Sequence, residues 1–252
     1  MAQALEFSVQ RSVRREIGTW EVLVADQDTA VAQMAFDDRL AQRGHPTLRF
    51  FRWKTPALSL GYKQSPPEWI MDQRVVSQGI ELVERPTGGG MAFHGSDVSC
   101  SIVVPSVYGK SLREIMETVC ESVTHACQSL GIPVRWTQDV RQAKRLVYCL
   151  TEPSPYAVLV DGRKVCGFAV RRYRESLLIQ GSLLMRSLPM ALWRVIPPPV
   201  QQALQTEAVS LEEALGEPLA DAELMARIVR TWRQVWEIPC FWTKLREGEH
   251  AV

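Results

Sequence analysis

The sequence predicts an α+β fold, a mixed and largely antiparallel sheet flanked by helices. Three observations predict it. Short apolar runs crowd between residues 146 and 179, and two of them, 156–160 and 164–170, are separated by Asp161-Gly162 and Arg163. Asp-Gly supplies the positive φ angles of a tight antiparallel hairpin. Helical patterns with their own start signals are interleaved with the strand patterns. No internal repeat and no long linker divides the 252 residues, so the expected organisation is an N-terminal extension over 1–18 and a single domain over 19–245.

The elements follow in order. Residues 18–24 (Gly-Thr-Trp-Glu-Val-Leu-Val) read as a first strand, and 27–43 as a helix capped by Asp28 or Thr29 and closed by Gly44, with Val31, Met34, Ala35 and Leu40 as its apolar face. Residues 48–53 and 57–62 read as strands, with a helix over 68–79 opened by Pro66-Pro67. Residues 80–83 and 91–104 read as strands on either side of a glycine turn. Ser111 and Glu114 form a capping box for a helix running to about Leu130. Cys120 and Cys127, seven residues apart, share a face of it. Four strand patterns follow, at 146–149, 156–160, 164–170 and 176–179; residues 189–202 read as a connector, Ser210 and Glu213 as a second capping box, and Asp221 as the cap of a last helix through Trp236.

Composition excludes several classes. Hydrophobic residues make up 46% and charged residues 23%, with a net charge of +1, which gives no global electrostatic case for nucleic acid or a membrane surface. No apolar run approaches the roughly 20 residues that span a bilayer. Residues 1–18 carry Arg11, Arg14 and Arg15 without an apolar stretch, unlike a secretory signal, and Glu6 and Glu16 count against an organelle-targeting peptide. The six cysteines have no C-x-x-C pair and no zinc spacing, so reduced thiols, a cytoplasmic location and no metal site are expected.

Few residues carry chemistry. Arg85-Pro86-Thr87-Gly88-Gly89-Gly90-Met91-Ala92-Phe93-His94 places three glycines between an arginine and a histidine, suiting either a tight turn or a backbone that approaches a ligand closely. Gly109-Lys110-Ser111 lacks the upstream glycine of a phosphate loop, since position 104 is Val104. Adjacent Asp37 and Asp38 project about 100° apart on a helix, which fits solvated or structural carboxylates better than a catalytic pair. Cys149 is followed by Pro153 and Pro155, placing it at a loop edge, and the antiparallel return brings Lys164 within range. A cation there would favour a nucleophilic thiolate; a buried strand-end cysteine and a surface lysine are the plainer reading of these residues alone. His45 and His125 belong to no motif.

The motifs together resemble the lipoate–protein ligase and octanoyltransferase family, within the biotin/lipoate A/B protein ligases. Residues 85–94 resemble its R-x-T-G-G-G/R-A-x-x-H loop, and Asp161-Gly162-Arg163-Lys164-Val165-Cys166-Gly167-Phe168-Ala169 its D-G-x-K-x-x-G-S-A segment. Gln33-Met34-Ala35-Phe36-Asp37-Asp38 resembles N-M-A-x-D-E, residues 48–61 its L-R-x-Y-x-W…S-x-G strands, and Gly181-Ser182 the end of its Q-H-G-S segment. The ordered match covers about residues 19–240. Cys149-x-x-x-Pro153-Ser154-x-Tyr156 resembles the cysteine loop of the octanoyl-carrier-protein:protein octanoyltransferases, whereas Thr137-Gln138-Asp139 is not the Arg-Asn-Asp of the ATP-dependent ligases.

The resemblance implies a biotin/lipoate ligase-like catalytic fold and transfer of an octanoyl group, through a Cys149 thioester, to a lysine of a lipoyl domain. The donor would be octanoyl-acyl carrier protein; the acceptor, a glycine cleavage H protein or a dehydrogenase E2 subunit. Lys164 would favour the thiolate and hold the acyl carbonyl, and N–H groups near Gly167 would face the oxyanion. Arg85, Thr87, Gly88, Gly89, Gly90, His94, Gly167, Phe168, Ala169, Gln180 and Gly181 would form the acyl site, with Arg85 and His94 fixing the glycine loop and His94 assisting proton transfer. No cofactor is implied for a transferase; a ligase would use ATP and Mg and hold a lipoyl-adenylate on the same loop. A lipoyl amidotransferase and a non-catalytic binding subunit are the other readings. Three departures fall near the site: Phe168 replaces the family's serine, Gln180 its histidine, and Gly95 an acidic residue for which Asp97 would compensate. Arg135, Arg141, Lys144, Arg145, Arg171, Arg172 and Arg174 form either a basic docking rim for acidic carriers or an ordinary solvated face.

Overall fold

The computed structural model describes residues 19–138, 147–237 and 239–244, with side chains through Cys240. The expected extension over 1–18 lies outside the described residues, as do Asp139, Arg141, Lys144, Arg145 and Leu146. A main sheet of eight strands has the order β11-β1-β2-β6-β10-β9-β8-β7. These strands are β1 (Trp20–Val24), β2 (Thr47–Phe51), β6 (Asp97–Pro105), β7 (Val134–Thr137), β8 (Ala157–Val160), β9 (Arg163–Arg172), β10 (Ser176–Leu184) and β11 (Cys240–Lys244). β1 runs parallel to β2 and β11, and every other neighbouring pair is antiparallel. The smaller sheet, β4-β3-β5, contains β3 (Ala57–Leu60), β4 (Glu81–Glu84) and β5 (Ala92–His94). The helices are α1 (Ala30–Arg43), α2 (Gln73–Ser77), α3 (Leu112–Gln128), α4 (Met190–Trp193), α5 (Pro198–Glu207), α6 (Leu211–Leu215) and α7 (Asp221–Trp236). The architecture is the α+β arrangement the sequence predicts.

Local signals place several elements as expected. Thr29 caps α1 by accepting from the Ala32 N–H, and Gly44 ends it at φ 67°. Ser111 and Glu114 make both bonds of the capping box. Asp161 and Gly162 take φ values of 48° and 83°, closing the β8–β9 hairpin.

Non-local geometry differs from expectation. β4 and β5 do not pair. β3 lies between them, parallel to β4 and antiparallel to β5, so the glycine stretch crosses the end of β3 instead of turning a hairpin. Residues 91–104 divide at Gly95-Ser96, with β5 in the small sheet and β6 in the main one. Residues 147–149 form no strand; Tyr148 makes one isolated bridge to Met91. The connector at 189–202 is largely helical: Pro197 takes the cap position and Pro198 the first helical position of α5, where a missing N–H costs nothing. Residues 68–79 split into a 3₁₀ turn over Glu68–Met71 and α2. Ala220 caps α7, and Asp221 instead receives Arg52 and Arg186. In α1, Val31 and Ala35 are exposed. The buried face carries Gln33 and Asp37 beside Met34, Phe36 and Leu40, polar groups that an apolar periodicity passes over.

Alternation along the strands gives the main sheet two unlike faces. On one, the cross-strand row Phe50, Cys100, Gly181, Phe168 lies among the residues packed beneath α3 and α7. Trp20, Trp232 and Trp236 anchor that core, their ring centroids 5.0–5.2 Å apart. The adjacent row on the other face, Phe51, Ser99, Ser182, Gly167, is small and polar in its middle. It borders the space beneath β3, β5 and the glycine stretch.

Candidate active site

Arg85 fastens the glycine stretch. Its Nη1 donates to the Ser59 carbonyl at 2.9 Å, and its Nη2 donates to the carbonyls of Gly88 and Gly90 at 2.5 and 2.8 Å. Thr87 and Arg85 also tie the stretch to the end of β3 and the turn after it, through the Tyr62 N–H to Thr87 carbonyl and Arg85 N–H to Leu60 carbonyl bonds, at 2.8 and 2.9 Å. The stretch then meets the cysteine segment edge to edge. Met91 N–H donates to the Val147 carbonyl, and Cys149 N–H donates to the Met91 carbonyl, both at 2.8 Å. Gly90 permits this approach, since a Cβ there would lie 3.0 Å from the Tyr148 nitrogen.

The cysteine segment is held from several directions. Glu152 accepts from the N–H groups of Val147 and Tyr148 at 2.9 and 2.8 Å, and Gln64 donates to the Val147 carbonyl at 2.9 Å. Lys164, almost wholly buried, donates to the carbonyls of Cys149 and Glu152 at 2.7 and 2.6 Å and to Ser154 Oγ at 2.9 Å. All three ammonium hydrogens therefore clamp the loop. Burial pulls Lys164 below the ordinary lysine value, while the neighbouring Cys149 opposes that shift. Burial likewise lowers Arg85, again opposed by Cys149. Arg85 and Lys164 are thus the two cationic neighbours of the Cys149 thiol.

Cys149 is partly exposed, and a Cβ on residue 167 would come within 3.0 Å of its sulfur. Gly167 is therefore the floor beneath the thiol. Both residues border a narrow cavity of about 40 Å³ with Met34, Trp53, His94 and Gln180. Burial pushes Cys100, Cys120 and Cys127 up to about 12 and raises Cys166 and Cys240 as well. Cys100 also borders the cavity, but its sulfur lies against Gly181 on the α3 face.

His94 does not bond the glycine loop. Its Nε2 bonds Ser59 Oγ at 2.8 Å, its Nδ1 bonds Asp97 Oδ2 at 2.9 Å, and its ring stacks on Trp53 with centroids 4.0 Å apart. With both nitrogens engaged, it anchors β5 and shares Ser59 with Arg85, and no free nitrogen is left for proton transfer. Asp97 supplies the carboxylate missing at Gly95. Burial raises its pKa, but His94, Ser99 and the Gly95 N–H overcome that and hold it at about 2. Trp53 donates to Ser99 at 3.0 Å and closes one end of the cavity.

The two remaining departures have different consequences. Phe168 pairs with Gly181, and its ring occupies the place of a Cβ there, 2.6 Å from that position at Cε1. The ring therefore packs over Gly181 on the α3 face, and Phe168 still borders the cavity beside Gly167. Ala169 and Gln180, opposite each other, face the site. Gln180 donates to Asp37 and accepts from Thr87, both at 2.6 Å. Gln64 and Glu152 belong to this machinery and carry no motif in the sequence, whereas Met34 and Asp37, from the N-M-A-x-D-E-like segment, gain a place in it that their motif did not assign. His45 and His125 are exposed and border no part of the cavity. Of the arginines expected at a basic rim, Arg171 lies between the Tyr62 and Tyr173 rings and donates to the Pro86 carbonyl, and Arg174 pairs with Glu175.

The profile of the lipoyl protein ligase A/B catalytic domain matches residues 26–233. The chain belongs to that family. A relative named Octanoyltransferase LipM from Kyrpidia tusciae is 30% identical over 223 residues, covering 80% of this chain and 81% of the relative. Another Octanoyltransferase LipM, from Moorella thermoacetica, is 28% identical over 250 residues, 92% and 91% of the two chains. A solved bi-partite lipoate protein ligase from Thermoplasma acidophilum superposes with a TM-score of 0.71 at 18% identity, covering 92% of this chain and 89% of that one, which places this fold among the lipoate ligases. Among the described residues no helix is long and apolar enough to cross a membrane.

Proposed function

We propose that this lipoyl ligase family member is an octanoyltransferase that moves an octanoyl group from acyl carrier protein, by way of Cys149, to a lysine of a lipoyl-domain protein. One observation carries the reading: the Cys149 sulfur sits on Gly167 at a narrow cavity, with Arg85 and Lys164 as its cationic neighbours. The relatives named Octanoyltransferase LipM support it.

The Cys149 thiolate attacks the carbonyl carbon of the donor thioester. The tetrahedral oxyanion collapses, the carrier leaves as a thiolate that takes its proton from solvent, and a Cys149 thioester remains. The lysine amine of the acceptor then attacks the same carbon, forms an amide with loss of a proton, and expels the Cys149 thiolate. The donor thioester is already activated, so neither ATP nor a metal enters the balance. The Arg85 and Lys164 cations stabilise the thiolate as attacker and as leaving group.

The test is incubation with octanoyl-carrier protein and an unmodified glycine cleavage H protein or E2 lipoyl domain, without ATP. The acceptor gains one octanoyl group. Modification that requires free octanoate or lipoate together with ATP overturns the reading in favour of a ligase.

A further inference from the structure

Gln180 stands in a buried chain of directed hydrogen bonds that ends on the glycine loop. Arg49, fully buried, donates to Asp37 Oδ1 at 2.5 Å, and Ser101 donates to the same oxygen at 2.6 Å. Asp37 pairs with Arg49 and therefore serves only as an acceptor. Its second oxygen takes the Gln180 Nε2 hydrogen at 2.6 Å, and the other Nε2 hydrogen points to Met34 Sδ at 3.4 Å. The amide orientation is thereby fixed by its partners. Gln180 Oε1 is left to accept, and the Thr87 hydroxyl donates to it at 2.6 Å. Thr87 is fully buried and is the residue immediately before Gly88. Glycines give a loop little side-chain purchase, so its position depends on such outside bonds.

We propose that Gln180 is a positioning residue that sets the glycine stretch, and with it the edge that meets the Cys149 segment, against the buried Arg49–Asp37 pair, acting through Thr87. The inference deepens the octanoyltransferase reading, which supplies its kinetic readout. The role needs one donor and one acceptor on the same side chain. A neutral histidine meets that need, and alanine does not. A glutamate meets it only while protonated. Facing Asp37 in a buried site, that glutamate titrates above the ordinary carboxylate range, so its proton is held at acid pH and lost as pH rises.

The experiment compares wild type, Gln180→Ala, Gln180→His, Gln180→Glu, Thr87→Val and the Gln180→Ala/Thr87→Val double variant. Single-turnover acylation by octanoyl-carrier protein is measured from pH 5.5 to 8.5, together with hydrogen exchange of the Tyr62 and Met91 amides. Gln180→Ala and Thr87→Val each raise the donor KM about tenfold, a loss of about 1.4 kcal/mol, with little change in kcat. The double variant is no worse than either single one, because both cut the same link. Gln180→His keeps a near wild-type KM, and Gln180→Glu approaches it only at the acid end. Both amides exchange at least about tenfold faster in Gln180→Ala, with the α3–α7 core unchanged. Additive single effects, a flat pH response of Gln180→Glu, or unchanged exchange overturn the proposal. If wild type accepts no acyl group from any donor, the transferase reading fails, and the exchange data alone decide the role of Gln180.

Discussion

The two faces of one sheet have been shaped for opposite purposes. Beneath α3 and α7, alternate residues of β2, β6 and β10 are Phe50, Cys100, Ile102, Ile179 and Leu183, all buried in one apolar cluster. One position along, the same strands carry Ser99, Ser101, Gln180 and Ser182, which bond Asp37, Asp97, Thr87 and Trp53. The first face gains stability from area removed from water. The second gives up that gain for fixed polar directions and for clearance over Gly167. A one-residue slip of register would exchange the two faces, so the continuous nine-residue β6–β10 pairing protects the chemistry as much as the core.

Substitutions on the two faces should therefore separate activity from stability. The largest effect on activity is expected at Gly167→Ala. Its Cβ would lie 3.0 Å from the Cys149 sulfur, and the displaced nucleophile should lose on the order of 10²-fold in acylation rate, measured by single turnover, with Tm little changed. Next is Lys164→Met, which removes three loop bonds and one of two cations. Acylation should fall at least about tenfold, with increased proteolysis of the cysteine loop as the structural check. On the opposite face, Ile179→Ala should cost about 2–5 kcal/mol in urea unfolding, while the acylation rate per folded molecule stays unchanged. A large activity loss there would dissolve the distinction between the faces.

The smallest effect is in pH. Asp97 is held at about 2 in the folded protein, against an ordinary value of 3.8. A carboxylate depressed on folding contributes stability that is complete above its unfolded pKa and is lost as pH falls through the folded one. Asp97 should therefore add about 2 kcal/mol near neutrality and lose it between about pH 4 and 2. Asp97→Asn should flatten that part of the acid-unfolding curve, read by circular dichroism.

The sequence made the local features legible. The capping box at Ser111, the turn at Asp161-Gly162 and the end of α1 at Gly44 are each decided by neighbours within a few residues. Resemblance marked the parts of the candidate site: Arg85, Cys149 and Gly167 border one cavity, with the glycine stretch and Lys164 packed against the Cys149 segment from outside it. What pairs across long separations was not legible. Nothing near Gly88 indicates that β3 separates β4 from β5, and nothing near Phe168 indicates that a pairing with Gly181 lays its ring over that glycine. Asp37 read as a solvated or structural carboxylate because its partners, Arg49, Ser101 and Gln180, come from three other strands. His94 read as a loop clasp because its bonds to Ser59 and Asp97 depend on the placement of the small sheet.

The central claim is that Cys149 carries the acyl group. Intact mass spectrometry of wild type and Cys149→Ala after incubation with octanoyl-carrier protein, without ATP, tests it most directly. The account predicts one added octanoyl group on wild type, located on the Cys149 peptide and released by hydroxylamine, and none on Cys149→Ala. An unmodified wild type that nevertheless octanoylates a lipoyl domain, or an adduct that persists in Cys149→Ala, would contradict it.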